Sequence, residues 1–140
     1  MSEGIITIEF AGYWVDENKG ALPAESGIYC VYECTLNARK KTVTLQKLIY
    51  IGESEDVRSR VADHEKYGHW LKHVGRGNEL CFSFGGVAET VRRRAKAAMI
   101  YKHRPPEADE YVDSFPFDRT TVSLSGKTRL LNTYFTVSKT

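Results

Sequence analysis

Little in this chain points to a metal module or a membrane. It has only three cysteines, Cys30, Cys34 and Cys81, an odd number without zinc-ligand spacing. Cys30 and Cys34 stand four apart in an apolar, β-branched run, where they read most simply as small buried thiols on one strand face. No apolar run approaches the roughly twenty residues that cross a bilayer, and no segment resembles a signal peptide. The expectation is a soluble, cytoplasmic chain in a reducing compartment, with no membrane partner. Internal repeats, low-complexity tracts and domain linkers are also absent, and 140 residues suit one domain with a single core.

One absence is local. Arg92, Arg93, Arg94, Lys96, Lys102, His103 and Arg104 fall in a window that contains no acid. The net charge of +2 does not by itself argue for nucleic acid. A one-sided basic stretch is either a solvated helix face or the electrostatic footprint of a phosphate-backbone binder.

Hydrophobic patterning supplies the elements. Ile6, Ile8 and Phe10 alternate with Thr7 and Glu9, a strand pattern over 5–10. A polar stretch from Asp16 to Ser26, broken by Pro23, precedes the strand-like run Gly27-Ile28-Tyr29-Cys30-Val31-Tyr32. Asn37 to Lys41 reads as a hairpin loop, with a return strand from Val43 to Ile51. Val57, Val61, Leu71 and Val74 keep helical register, which predicts one helix over 56–73 with Arg60 and His64 one turn apart on a shared face. Gly75 and Gly77 end it. Leu80, Phe82 and Phe84 alternate as another strand, stopped at Gly85-Gly86. A second helix is expected from Ala88 to His103, burying Val91, Ala95, Ala98 and Met99 and terminated by Pro105-Pro106. Strand texture returns at 120–123 and 134–137, around a turn at Ser125-Gly126.

Two tripeptides carry the sharpest signal. Gly27-Ile28-Tyr29 is followed, after 20 intervening residues, by Tyr50-Ile51-Gly52. Beyond them, Glu53-Ser54-Glu55-Asp56-Val57 leads to Arg58-Ser59-Arg60 and then His64. In this pairing and sequel the chain resembles the GIY-YIG nuclease superfamily, over about residues 26–106. The resemblance implies an α/β fold with a small, mainly antiparallel sheet flanked by helices, in the core order β-β-α-β-α. The N-terminal strand and the C-terminal extension would be additions within a single domain, 1–140.

The same resemblance implies roles. Tyr29 and Tyr50 would lie on adjacent strands and position or deprotonate an attacking water. Arg60 would stabilise charge on the nonbridging phosphate oxygens, because a planar, permanently charged fork suits them better than an ammonium. His64 would contact phosphate or assist proton transfer. Asn132, after an insertion, resembles the family's late asparagine that orients site groups, although a strand-edge asparagine is an equally good reading. Arg58, Arg92, Arg93, Lys96, Lys102 and Arg104 are the candidate nucleic-acid contacts.

The departure is at position 96. Family members place a glutamate there, before a Leu-Ile-type pair, and it holds one divalent cation. Here the stretch is Lys96-Ala97-Ala98-Met99-Ile100. An ammonium only donates hydrogen bonds and repels a cation. Mg²⁺ or Mn²⁺ is the cofactor expected of an active member, but with Lys96 this chain lacks the ligand and no metal residue is assigned. His69 and His73 have metal-compatible spacing without an evident third ligand. The expected function is a metal-dependent DNA endonuclease that cleaves feebly or not at all as written. The alternatives are a non-catalytic nucleic-acid-binding module of degenerate fold and an RNA-directed nuclease. One site cuts one strand, so either a monomer or a homodimer is compatible.

Overall fold

The computed structural model describes residues 4–140. It is an α/β protein built on a six-stranded mixed sheet. The strands are β1 (Gly4–Val15), β2 (Gly27–Asn37), β3 (Thr42–Ser54), β4 (Glu79–Gly86), β5 (Thr120–Gly126) and β6 (Tyr134–Val137). Their spatial order is β3-β2-β4-β1-β5-β6. Every neighbouring pair is antiparallel except β1 with β5. The helices are α1 (Val57–Ala62), α2 (Tyr67–Leu71) and α3 (Glu89–His103).

The sheet's period of two divides the core. On one face Tyr29, Val31, Ile49, Leu80, Phe82 and Phe84 meet Val57 and Val61 of α1 and Trp70 of α2. On the other, Ile28, Cys30, Tyr32, Ile51 and Cys81 meet Ala95, Ala98 and Met99 of α3. β2 lies between β3 and β4 and is buried on both faces, so Gly27 to Tyr32 reads as a continuous apolar run rather than an alternation. β1 keeps the expected alternation through Phe10 and then shifts register between Gly12 and Trp14, opposite Ser83 and Phe82. The polar stretch after it forms a short 3₁₀ helix, Asp16–Ala21.

The expected single helix over 56–73 is two. α1 is capped by Asp56, whose carboxylate accepts from the Ser59 amide, and it stops when Asp63 leaves helical geometry. The chain turns through 63–66 before α2 begins. That turn shifts the register of α2. Trp70 is fully buried, while Leu71, the residue that straight-helix spacing selects, is 44 % exposed. Burying an indole against Phe82 and Val61 outweighs continuing one helix. His64 therefore does not share a helix face with Arg60; it sits in the turn. In α3 the core residues are Ala95, Ala97, Ala98, Met99 and Ile100, with Val91 only partly covered. α3 ends at Arg104 in left-handed geometry, ahead of the two prolines. Among the described residues no helix is long and apolar enough to cross a membrane.

Candidate functional site

The glycines of both tripeptides have packing reasons. Gly27 stands opposite Gly86 on β4, and a Cβ there would collide with the Gly85 carbonyl and the Phe84 ring. Gly52, on β3, stands opposite Tyr29 of β2, and a Cβ there would run into the Tyr29 phenol ring. The absence of a side chain at 52 lets that ring lie down across the strand. Tyr50 pairs with Val31, so it is a diagonal neighbour of Tyr29 on the same face. The two ring centroids are 6.2 Å apart.

His64 is brought onto these tyrosines by the turn between α1 and α2. Its Nε2 lies 2.8 Å from the Tyr29 hydroxyl, and its ring packs at a tilt against Trp70, 4.4 Å between centroids, and meets Tyr50 edge-on at 5.5 Å. The Lys66 amide donates to Nδ1 at 3.1 Å. That bond makes Nδ1 an acceptor, so the neutral ring carries its proton on Nε2 and donates it to the Tyr29 oxygen. Burial, aided by nearby Arg60, pushes the His64 pKa down to about 4, so the ring is neutral near pH 7. Burial also raises the Tyr29 hydroxyl well above its ordinary range and raises Tyr50 in the same direction. Tyr29 is 1 % exposed and His64 6 %, while Tyr50 is only partly covered and forms the open side of the cluster.

Arg60 is close enough for its charge to be felt by both tyrosines, but its guanidinium is clamped by Glu65 through bonds of 2.7 and 2.6 Å. The clamp holds the Glu65 pKa down to about 2. Lys66 lies over the Tyr50 ring and bonds Asp109 at 2.9 Å. Lys96 pairs with Glu110 at 2.6 Å. Asp109 and Glu110 both bear electrostatically on Tyr50, so the acidic segment after α3 returns to the rim of the cluster. Each cation at the rim has its own carboxylate.

The remaining sequence-selected residues are dispersed. Arg58 is exposed, and its Nε donates to the Leu22 carbonyl at 2.7 Å. Arg92 is bound to Glu53 and to Ser26, and Arg104 to the Val112 carbonyl and Asp113. Arg94 is tied to Thr120 and the carbonyls of Asp118 and Arg119. Arg93 and Lys102 are exposed. Three cations of the acid-free window, Arg92, Lys96 and Arg104, thus meet an acid that the fold brings to them. Asn132 is not brought to the tyrosines. Its amide donates to His103 Nε2 at 2.8 Å and its side chain accepts from Tyr134. It follows β5, which lies three strand spacings from β2, roughly 14 Å across the sheet.

Trp70, Glu65, Lys66 and Glu110 belong to the cluster, yet sequence reasoning does not select them as site residues. Glu65 and Lys66 directly follow His64, and that adjacency is the available signal. Nothing local joins Glu110 to position 96. His69 and His73 do not form a pair, because His73 bonds Glu107 at 2.7 Å while His69 is exposed.

The residues at position 96 do not fit a divalent cation. Lys96 presents an ammonium, which cannot ligate a cation and is already paired with Glu110. Among the described residues no group of three or more His, Cys, Asp or Glu side chains is arranged to hold a metal ion. Comparisons of the chain with protein-family models, with curated proteins and with solved structures found no match.

Proposed function

We propose that this chain is a GIY-YIG-type nuclease unit that engages DNA and whose hydrolytic chemistry is blocked at position 96. One observation carries the reading: tyrosines from both tripeptides share one sheet face with His64 hydrogen-bonded to Tyr29 and Arg60 in electrostatic reach. The order β2-β3-α1/α2-β4-α3 supports it, being β-β-α-β-α with the first helix broken.

In this reading the scissile phosphate docks at the open, Tyr50 side. Arg60 exchanges Glu65 for the nonbridging oxygens, and its fork stabilises the charge that accumulates on them during attack. His64 donates Nε2–H to the Tyr29 oxygen, which leaves the phenol's own proton free to point at a water or a phosphate oxygen. Tyr29, with its raised pKa, positions the nucleophile and is not a resident phenolate. No step runs through a metal, because the residues present do not hold one. The Lewis-acid contribution that is lost amounts to roughly several kcal/mol, so cleavage is feeble or absent.

The second reading, a non-catalytic nucleic-acid binder, is favoured by Lys96 itself, since a lysine at a ligand position suits phosphate better than a cation. RNA offers the same phosphate chemistry as DNA. Nicking of supercoiled plasmid in Mg²⁺ or Mn²⁺, with this chain beside Lys96→Glu, tests the assignment. The substitution sets a second carboxylate beside Glu110, and activity is expected only in that variant. Equal activity in both would show that position 96 is misassigned. Silence in both, with DNA binding intact, would favour the binding module.

A further inference from the structure

One cleft away from the tyrosines differs from them in its charge. It has a volume of about 620 Å³ and lies between the β2–β3 hairpin tip and the turn after β5. Its walls are Gly12, Tyr13, Lys41, Thr42, Val43 and residues 126–129. It is lined by three cations, Lys41, Lys127 and Arg129, by the hydroxyls of Thr42, Thr128 and Tyr13, and by no carboxylate. Among the described residues none of the three cations has a salt-bridge partner. Every cation around the tyrosine cluster has one.

The cleft is also built on fixed backbone. Gly126 has φ +80°, and a Cβ there would strike the Phe10 carbonyl, so the chain must turn sharply at this point. The Lys127 amide then donates to Phe10 at 2.8 Å, and the Arg129 amide to the Tyr13 hydroxyl at 3.1 Å. The Leu131 amide closes the turn on Thr128 at 3.0 Å. The anchors use main-chain atoms, so the ammonium of Lys127 and the guanidinium of Arg129 remain available on a rigid turn. Lys41 faces them from the hairpin tip, with Arg39 and Lys40 exposed beside it.

We propose that this cleft is a second phosphodiester-binding site, holding the backbone of the nucleic acid away from the tyrosine cluster. It rests on the functional reading above and adds where affinity comes from. A mobile ammonium, a planar guanidinium fork and flanking hydroxyls are the donor set that phosphate oxygens require. The tyrosines lie near one end of the β2–β3 hairpin and the cleft at the other. Tyr29 and Leu36 are seven residues apart on β2, roughly 23 Å of strand, so changes in the cleft leave the cluster's geometry alone.

The test is binding of a labelled duplex, by anisotropy over a series of salt concentrations, for the intact chain and for Lys41→Ala/Lys127→Ala/Arg129→Ala. One arm uses DNA and one uses RNA of the same sequence, to identify the polymer. For DNA the logarithmic salt slope should become shallower by roughly 2 to 3, and low-salt affinity should fall by about tenfold or more. Lys41→Arg/Lys127→Arg/Arg129→Lys should restore both, which separates charge from misfolding. An unchanged slope in both arms, with the intact chain still binding, would overturn the cleft alone. An intact chain that binds neither polymer would overturn the proposed function along with it.

Discussion

The two cationic regions of this protein have similar inventories and opposite surroundings. Around α3 and the tyrosine cluster, Arg60, Lys66, Arg92 and Lys96 each meet an acid: Glu65, Asp109, Glu53 and Glu110. A second cleft, of about 530 Å³ at the start of α3, is likewise mixed, with Glu53 and Glu89 beside Arg92 and Arg93. The cleft at the hairpin tip has three cations and no acid. A cation already paired must break that pair before it can hold a phosphate, whereas a solvated one only releases counterions. Under the proposed function the difference divides tasks, with the first region serving positioning and internal order and the second affinity.

The comparison breaks most readily at Arg92. If it is a structural cation, Arg92→Ala should lower stability by about 2 kcal/mol, because it leaves Glu53 half-buried without its partner. DNA affinity of the folded protein should change by less than about threefold, since little phosphate contact is lost. Thermal unfolding and anisotropy on the same sample check both halves. The reverse pattern would make α3 the binding face.

Gly52→Ala should come next, at about 1 to 3 kcal/mol, because the new methyl displaces the Tyr29 ring. Binding through the hairpin cleft should survive in the folded fraction. Chemical denaturation and DNA binding read the two separately.

Smaller and opposite in sign, Glu65→Gln should release Arg60. Duplex affinity should rise by roughly two- to fivefold at low salt, with a salt slope steeper by about 0.9. A titration in which the variant binds no better would mean that Arg60 does not face phosphate.

The pH dependence is the mildest test. His64 titrates at about 4 in the folded state against an ordinary 6.5, so the folded protein binds fewer protons than the unfolded chain between those values. Stability should therefore be full above pH 6.5, decline on acidification to about 4, and take no further loss from this group below that. His64→Gln should flatten that interval in a thermal-unfolding series.

What the sequence shows clearly is what local chemistry dictates. The strand alternation of Ile6, Ile8 and Phe10, and the continuous apolar run of a strand covered on both faces, depend on near neighbours alone. The glycines at 27 and 52 are visible because backbone and ring approach them too closely for any side chain. The break between α1 and α2 is hidden, since Val57, Val61, Leu71 and Val74 satisfy a straight helix and only tertiary burial of Trp70 overrides it. The partial neutralisation of the basic window is hidden too. Glu53, Glu110 and Asp113 are distant in sequence or across a loop, and only the fold sets them against Arg92, Lys96 and Arg104. Asn132 is selected in sequence only by allowing an insertion, and it lies across the sheet, bonded to His103.

The most direct measurement compares plasmid nicking by Lys96→Glu with that by Lys96→Glu/Tyr29→Phe, in Mg²⁺ and at matched folded concentration. Cleavage is expected from the first, with a loss of about a hundredfold or more in the second, the scale of a positioned hydroxyl at a reacting centre. Equal cleavage by the two would contradict the placement of the chemistry at the tyrosine cluster.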